Sequence, residues 1–389
     1  MRRKFVWQRH DERGISTILF SVGCAAFLAA TTLAIDVGMF MVARSQAQNA
    51  ADAGALAGAT ALVFNSYTDR SASGPAVQGA ISTAQANHVI GEAPSIGTAD
   101  VTFPNDPAGQ PTRVQAQVFR TAERSSAIPT LMGAFFGVPT VDVWATATAE
   151  ASPANAITCV RPFTIPDRWV ENISPPWTTA STFDRYYTSG PKKGQVMTPL
   201  ADAYPPPGDP AYDGYKVPRD VGLLLTLRAG TGNNIEPTMY YSWSMPSNTG
   251  ADDYRGNIEG CNPTVVHMGD PMTQEPGDMT GPTNQGIDDL IAQDPGAKWS
   301  TDCNCVIDSA FASSPRVFPI PLFDPDYYQS GKVNGRNATL KVANWIGFFV
   351  VGRNGNNVSG RITQILGVVD TNAGPAPAGA FARALRLVQ

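Results

Sequence analysis

Apolar and polar positions divide this chain into stretches of different character. From Gly14 to Ile35 the run GISTILFSVGCAAFLAATTLAI holds 22 residues without a charge. As a helix it is about 33 Å long, enough to cross a hydrocarbon core of about 30 Å. From Val37 to Phe64 the sequence is nearly half alanine and glycine and has no proline. Alanine is the best helix former, so the apolar helix is predicted to continue unbroken through residue 64. Residues 65–80 are polar and Gly/Ser-bearing, a predicted hinge. A short helix is expected over Ala76–Ile90, and short strands over Ala99–Phe103, Arg113–Thr121 and Val141–Ala149. In the last, Val141, Val143, Ala145, Ala147 and Ala149 alternate with more polar residues, the period of a half-buried strand. Ile128–Val138 is apolar and aromatic and is expected to form a helical turn or two beneath that sheet.

Proline separates the remainder. None occurs before Pro75, and 24 of the 32 lie after Ala156. Proline is excluded from helix and strand interiors, so a loop-heavy, β-rich outer region is predicted from 156 to 389. Its best strand candidates are Leu223–Leu227, Met239–Trp243, Val317–Ile320 and Ala343–Val351. Asn354-Gly355 marks a hairpin into Val358–Val369. One helix is expected at Gly286–Gln293. The fold class is α+β.

Composition narrows the function. Charged residues are 16% of the chain, against a usual share of about 25%, and the net charge is −5. No basic excess is available to neutralise phosphates, which argues against nucleic acid as a partner. Arg2, Arg3, Lys4, Arg9 and Arg13 precede the apolar run and only Arg44 follows it closely. That asymmetry places residues 1–13 in the cytoplasm, a membrane span at 14–36 in contact with lipid, and the rest outside. A cleaved signal peptide has an apolar run of only about 7–15 residues. A lipoprotein site at Cys24 would have Ser21 where a large aliphatic residue is required. A prepilin site at Gly14-Ile15 would have Leu19 in place of glutamate. A retained anchor fits best. Asp36 reads either as the charge that marks where lipid ends or as an assembly contact with another subunit's helix.

Arg44, Gln48 and Asp52 recur every four residues and lie along one helix face. Ala50, Gly54 and Gly58 form a second series whose small residues allow close helix approach, to this chain's own downstream part or to another chain. At these positions the chain resembles a known family. Ala34-Ile35-Asp36-Val37-Gly38, Arg44, Gln48-Asn49-Ala50-Ala51-Asp52-Ala53 and Ala55-Leu56-Ala57-Gly58-Ala59 look like the N-terminal region of the TadE/TadG-like Flp pilus-assembly family, over residues 13–62. The departures are Ala47, where the family usually has leucine, and Gly54, where it usually has alanine. The resemblance implies a helix continuation at 37–64, a small pilin-like or pseudopilin-like α/β unit at 65–155, and pilin or other pilus-assembly subunits as partners. Pro276-Gly277 with Gly281-Pro282-Thr283, Asp294-Pro295 with Trp299, and Ser314-Pro315-Arg316-Val317 also look like parts of larger TadG-type proteins.

The outer region holds Cys159, Cys261, Cys303 and Cys305, an even number that argues for two disulfides in an oxidising compartment. A Cys303–Cys305 ring would be tight, so Cys159 and Cys261 are each expected to pair with one of those two. Zinc is the alternative, with His267 as the nearest helper. Catalytic patterns are missing: there is no GxSxG, HExxH or Walker A sequence. Gly230-Thr231-Gly232 reads as a turn, Asp324-Pro325-Asp326 as an incomplete calcium loop, and His88 and His267 as solvated or core histidines. No cofactor or enzymatic activity is expected. A membrane-anchored minor pilin-like or assembly component is the leading expectation. The alternative is an extracytoplasmic binding module or hydrolase that shares only the anchor.

Overall fold

The computed structural model describes residues 13–65, 69–107, 109, 111–230, 234–245, 249–311, 313–333, 339–377 and 379–388. The tail read as cytoplasmic (1–12), residues 66–68 of the expected hinge, and Thr231-Gly232 lie outside them. The architecture is mixed α+β: a long N-terminal helix, a two-layer unit built on its second half, and a β-barrel region.

Helix α1 (Arg13–Phe64) is continuous over 52 residues. Its apolar first half is bare, and none of the most hydropathic 18-residue window is buried. Burial begins at Asp36 and then follows Ala43, Ala47, Ala50, Ala51, Gly54, Ala55, Gly58, Ala59 and Leu62. Those positions make one helical stripe. A second helix, α2 (Pro75–Ala86), packs on the stripe with Ala76, Val77, Ala80 and Ala84. The first proline of the chain thus occupies the first turn of a helix, where its missing N–H has no partner to lose. The helix ends four residues short of the predicted Ile90, and exposed His88 lies beyond it.

Both helices cover one face of a five-stranded sheet, ordered Val101–Thr102, Arg113–Arg120, Val143–Pro153, Ala382–Val388, Ile365–Leu366. Alternation in Arg113–Arg120 sends Val114, Ala116 and Val118 under α1 and leaves Arg113, Gln115 and Gln117 half-buried on the other face. The unit expected to end at 155 therefore borrows its fourth strand from the far end of the chain. Ala382–Val388 runs antiparallel to Val143–Pro153, from Arg383 opposite Pro153 to Val388 opposite Thr148.

Between those two strands the chain forms a closed ring of six: Phe163–Pro166, Met239–Ser242, Leu224–Ala229, Asn357–Thr363, Leu340–Asn354 and Val317–Phe323, back to the first. Closure comes from Leu340–Asn354, which pairs with Val317–Phe323 on one side and Asn357–Thr363 on the other. The hairpin after it turns through Gly355 at φ +59°, a conformation natural to glycine. Successive residues of the long strand feed two cores. Trp345 joins Trp169, Tyr241, Trp243 and Phe323 in one. Ile346, Phe348 and Val350 join Phe318, Ile320 and the helix residues Ile258, Ile287 and Leu290 in the other.

Two short helices were not anticipated, Ala251–Glu259 and Pro325–Val333. The second explains Asp324-Pro325-Asp326. Asp324 Oδ1 accepts the N–H of Tyr327 at 2.9 Å, so aspartate caps the helix and proline opens it. The motif is a helix start, and the fragment that resembled a calcium loop is accounted for by it.

Candidate functional site at the exit of helix α1

Asp36 is buried at 2% exposure although residues on either side of it are exposed. Its Oδ1 accepts the backbone N–H of Leu131 at 2.8 Å. Its Oδ2 accepts those of Met132 at 2.8 Å and Gly133 at 3.2 Å. The cover is a loop of this same chain, between the strands Arg113–Arg120 and Val143–Pro153. The loop is tied by the small ladder Ile128–Pro129 with Thr140–Val141 and holds one 3-10 turn, Gly133–Phe136. It does not lie beneath the sheet as its apolar character had implied. Leu131, Phe135, Phe136 and Val138 are all exposed. Only Ile128 of the stretch is buried, in the core that α1 and α2 fill with alanine, and the turn beyond it stays at the surface.

Two turns further along, Arg44 and Gln48 are exposed and Asp52 is half-buried. Gln48 Nε2 donates to Asp52 Oδ1 at 2.8 Å and approaches the carbonyl of Thr146 at 3.4 Å. These side chains border two adjoining hollows between α1 and the sheet. One of about 460 Å³ is lined by Phe40, Arg44, Gln48 and Trp144, and one of about 670 Å³ by Gln48, Asp52, Gln115 and Leu387. The polar series thus faces an open groove.

The small-residue series faces inward. A Cβ on Gly54 would stand 3.0 Å from the carbonyl oxygen of Ala80 and 3.0 Å from Ala84 Cβ. On Gly58 it would stand 2.7 Å from Val114 Cγ1. The partner that fits these glycines is the chain's own α2 and sheet. The other option, a second chain's helix, has no room at that face.

The cysteines pair as Cys159–Cys261 and Cys303–Cys305. The expected cross-pairing is corrected by a turn. Lys298–Ser300 and Cys305–Ile307 form a hairpin, and Asn304 at φ +50° folds the chain so that Cys303 and Cys305 have Cα atoms 5.2 Å apart. That is within the normal range for a disulfide. Cys24 is free and exposed on α1. His267 Nε2 lies 3.0 Å from Asp370 Oδ2. Among the described residues no group of three or more His, Cys, Asp or Glu side chains is placed to hold a metal.

Two buried polar clusters in the barrel region escaped the sequence reading. Asp167 accepts the hydroxyls of Tyr204 and Tyr212 and the backbone N–H groups of Arg168 and Tyr215. Burial pushes its carboxyl up to about 6, against the pull of those four donors. Arg316 donates to the carbonyls of Asp294, Ala297, Val350 and Val351, and its guanidinium lies 5.1 Å from the Phe349 ring centroid. The Ser309 and Ser314 hydroxyls donate to Asp294 at 2.7 and 2.6 Å. The segments Asp294-Pro295 and Ser314-Pro315-Arg316 therefore meet as one structural joint.

Geometry at this site belongs to an anchor class: one apolar helix with a bare first half and a second half built into its own domain. Within that class, residues 14–61 match the model of the Tad family, Flp pilus-assembly TadE/G-like. The match ends three residues before α1 does. No curated protein and no solved structure matches the chain.

Proposed function

We propose that this protein is a membrane-anchored, minor pilin-like or assembly component of the Flp/Tad pilus machinery. The observation that carries the reading is the coincidence of the family match with α1. The bare half of the helix holds the chain in the inner membrane, with its N-terminus cytoplasmic and its bulk outside. The half after Asp36, with α2 and the sheet, is the pilin-like unit, and the barrel region is the outer domain that it presents. On this reading the division at residue 155 is amended: the strands Ile365–Leu366 and Ala382–Val388 belong to the sheet of the pilin-like unit.

Lateral contacts with other subunits run along the face that carries Arg44, Gln48 and Asp52, because the Gly54 and Gly58 face is filled from within. The work is mechanical, anchoring and templating, and calls on no cofactor. The test is deletion of the gene in its own host, scored by surface pili and adherence, with affinity isolation of the tagged full chain. Loss of pili and co-isolation of pilus components is the expected result. Normal pili together with no co-isolated pilus component would overturn the reading.

A further inference from the structure

We propose that the loop from Ile128 to Val141 is a second membrane element, which seats Leu131, Phe135, Phe136 and Val138 in the outer interfacial layer of the bilayer beside α1. This rests on the anchor part of the function proposed above.

Depth comes first. Gly54 lies against Ala116 and Gly58 against Val114, so the strand Arg113–Arg120 descends as α1 rises. Arg120 and its partner Val143 are therefore at the membrane-proximal end of the sheet, and the connection between them hangs below it. Asp36 fixes the lowest part of that connection at its own height, one residue past the uncharged run. Ala43, where α1 first meets the sheet, is about 10 Å above that height by helical rise.

Chemistry agrees with depth. No ionisable residue occurs from Ser125 to Val141. Phe135 is 82% exposed, Phe136 72%, Leu131 57% and Val138 50%. Trp144 at the adjacent strand start is 63% exposed, and tryptophan is a preferred residue of membrane interfaces. On α1 itself Leu33, Ile35 and Val37 are exposed within about 5 Å of that height by helical rise, so the apolar band is shared by helix and loop.

Backbone accounting supplies an independent reason. A lipid-facing segment must satisfy its own N–H and C=O groups, because water is not there to do so. Here Thr130 N–H donates to Pro139, Phe135 to Met132, Gly137 to Ala134 and Val138 to Gly133, and the Thr130 hydroxyl donates to the Val138 carbonyl. Three further N–H groups at the turn, those of Leu131, Met132 and Gly133, are taken by Asp36. The same contact keeps the carboxylate away from lipid.

The test uses the full chain with its disulfides intact, in vesicles of phosphatidylethanolamine and phosphatidylglycerol. An environment-sensitive fluorophore is placed on native Cys24, or in a Cys24→Ser background on Phe135→Cys, Phe136→Cys or Lys298→Cys. All of these positions are exposed, so labelling leaves the fold intact. Expected results are loss of most emission at 135 and 136 to a nitroxide held near the headgroups, at 24 to one held deep in the chains, and at 298 only to aqueous iodide. If 24 is deep while 135 and 136 respond to iodide as 298 does, the loop proposal is wrong and the anchor stands. The apolar surface would then belong to a protein partner. If 24 also responds to iodide, the anchor reading fails and the loop proposal with it.

Discussion

The carboxylate of Asp36 accepts the backbone N–H of Leu131 at 2.8 Å across 95 residues of sequence. With Met132 and Gly133 it gives one side chain three donors, and all three depend on it. Asp36→Ala should leave α1 folded and release the turn. Amide exchange at residues 131–133 is expected to accelerate by about 10- to 100-fold, the equivalent of orphaning one or two buried donors. Unchanged exchange would show that the loop is held by other contacts.

Two glycines of different surroundings should respond oppositely to the same change. Gly58→Ala sets a methyl 2.7 Å from Val114 Cγ1 and is expected to lower stability by about 1–3 kcal/mol through overpacking. Gly256→Ala, in the helix Ala251–Glu259, meets nothing within 4 Å and should raise stability by about 1 kcal/mol through helix propensity alone. Thermal melts of the detergent-solubilised chain distinguish the two signs.

Arg316 holds the end of one helix to the long barrel strand through four backbone carbonyls. Arg316→Lys keeps the charge but not the planar fork, and most of those carbonyls lose their donor. A loss of about 3 kcal/mol is expected, close to that of Arg316→Ala. Urea midpoints followed by tryptophan fluorescence measure it, and a lysine variant near wild type would contradict it.

Asp167 is fully buried, with its carboxyl raised from 3.8 to about 6. The folded chain therefore holds this proton more tightly than the unfolded chain. Its stabilising contribution is complete below pH 3.8 and disappears as pH rises through about 6, a swing on the order of 3 kcal/mol. Other carboxylates shift in both directions, Asp202 and Asp324 upward by burial and Asp294 downward, so the comparison is with Asp167→Asn. The urea midpoint of the wild type should fall relative to that of the variant from pH 4 to pH 7, and a constant difference would refute the assignment.

The two disulfides should differ sharply in value. Cys159–Cys261 closes 102 residues, and the chain-entropy model gives it about 4–5 kcal/mol. Cys303–Cys305 spans a separation of 2 and constrains little of the unfolded chain. Cys159→Ser with Cys261→Ser should thus lower the melting temperature strongly, and Cys303→Ser with Cys305→Ser barely. Non-reducing peptide maps should show one bond between peptides and one within a peptide.

What was readable from residues alone follows from how local each cause is. Helix α1 was legible because 50 consecutive residues favour helix and nothing interrupts them. The Gly54 and Gly58 series announced close packing but not its partner, because alanines on α2 and alanines on another chain look alike. Asp36 was visible as a charge out of place, while its three donors sit some 95 residues away on a stretch that reads as core. Ile128–Val138 misled for the same reason: apolar composition cannot distinguish burial in protein from burial in lipid. The helix start at Asp324-Pro325 was missed because the motif was weighed only as a metal loop and set aside as incomplete. Asp167 was invisible, as nothing in its neighbours Pro166 and Arg168 foretells Tyr204 and Tyr212.

The strand Ala382–Val388 has a consequence for how the molecule is made and loaded. The sheet beneath α1 cannot close until Ala382–Val388 has been made, so the alanine face of a helix made early must wait for a strand that follows the whole barrel. Once closed, the barrel is an insertion that leaves the sheet at Pro153 and returns to it at Ile365. A pull on the outer domain therefore loads Val143–Pro153 lengthwise, in shear against Arg113–Arg120 and Ala382–Val388, while its other lead draws on the two-residue edge strand Ile365–Leu366.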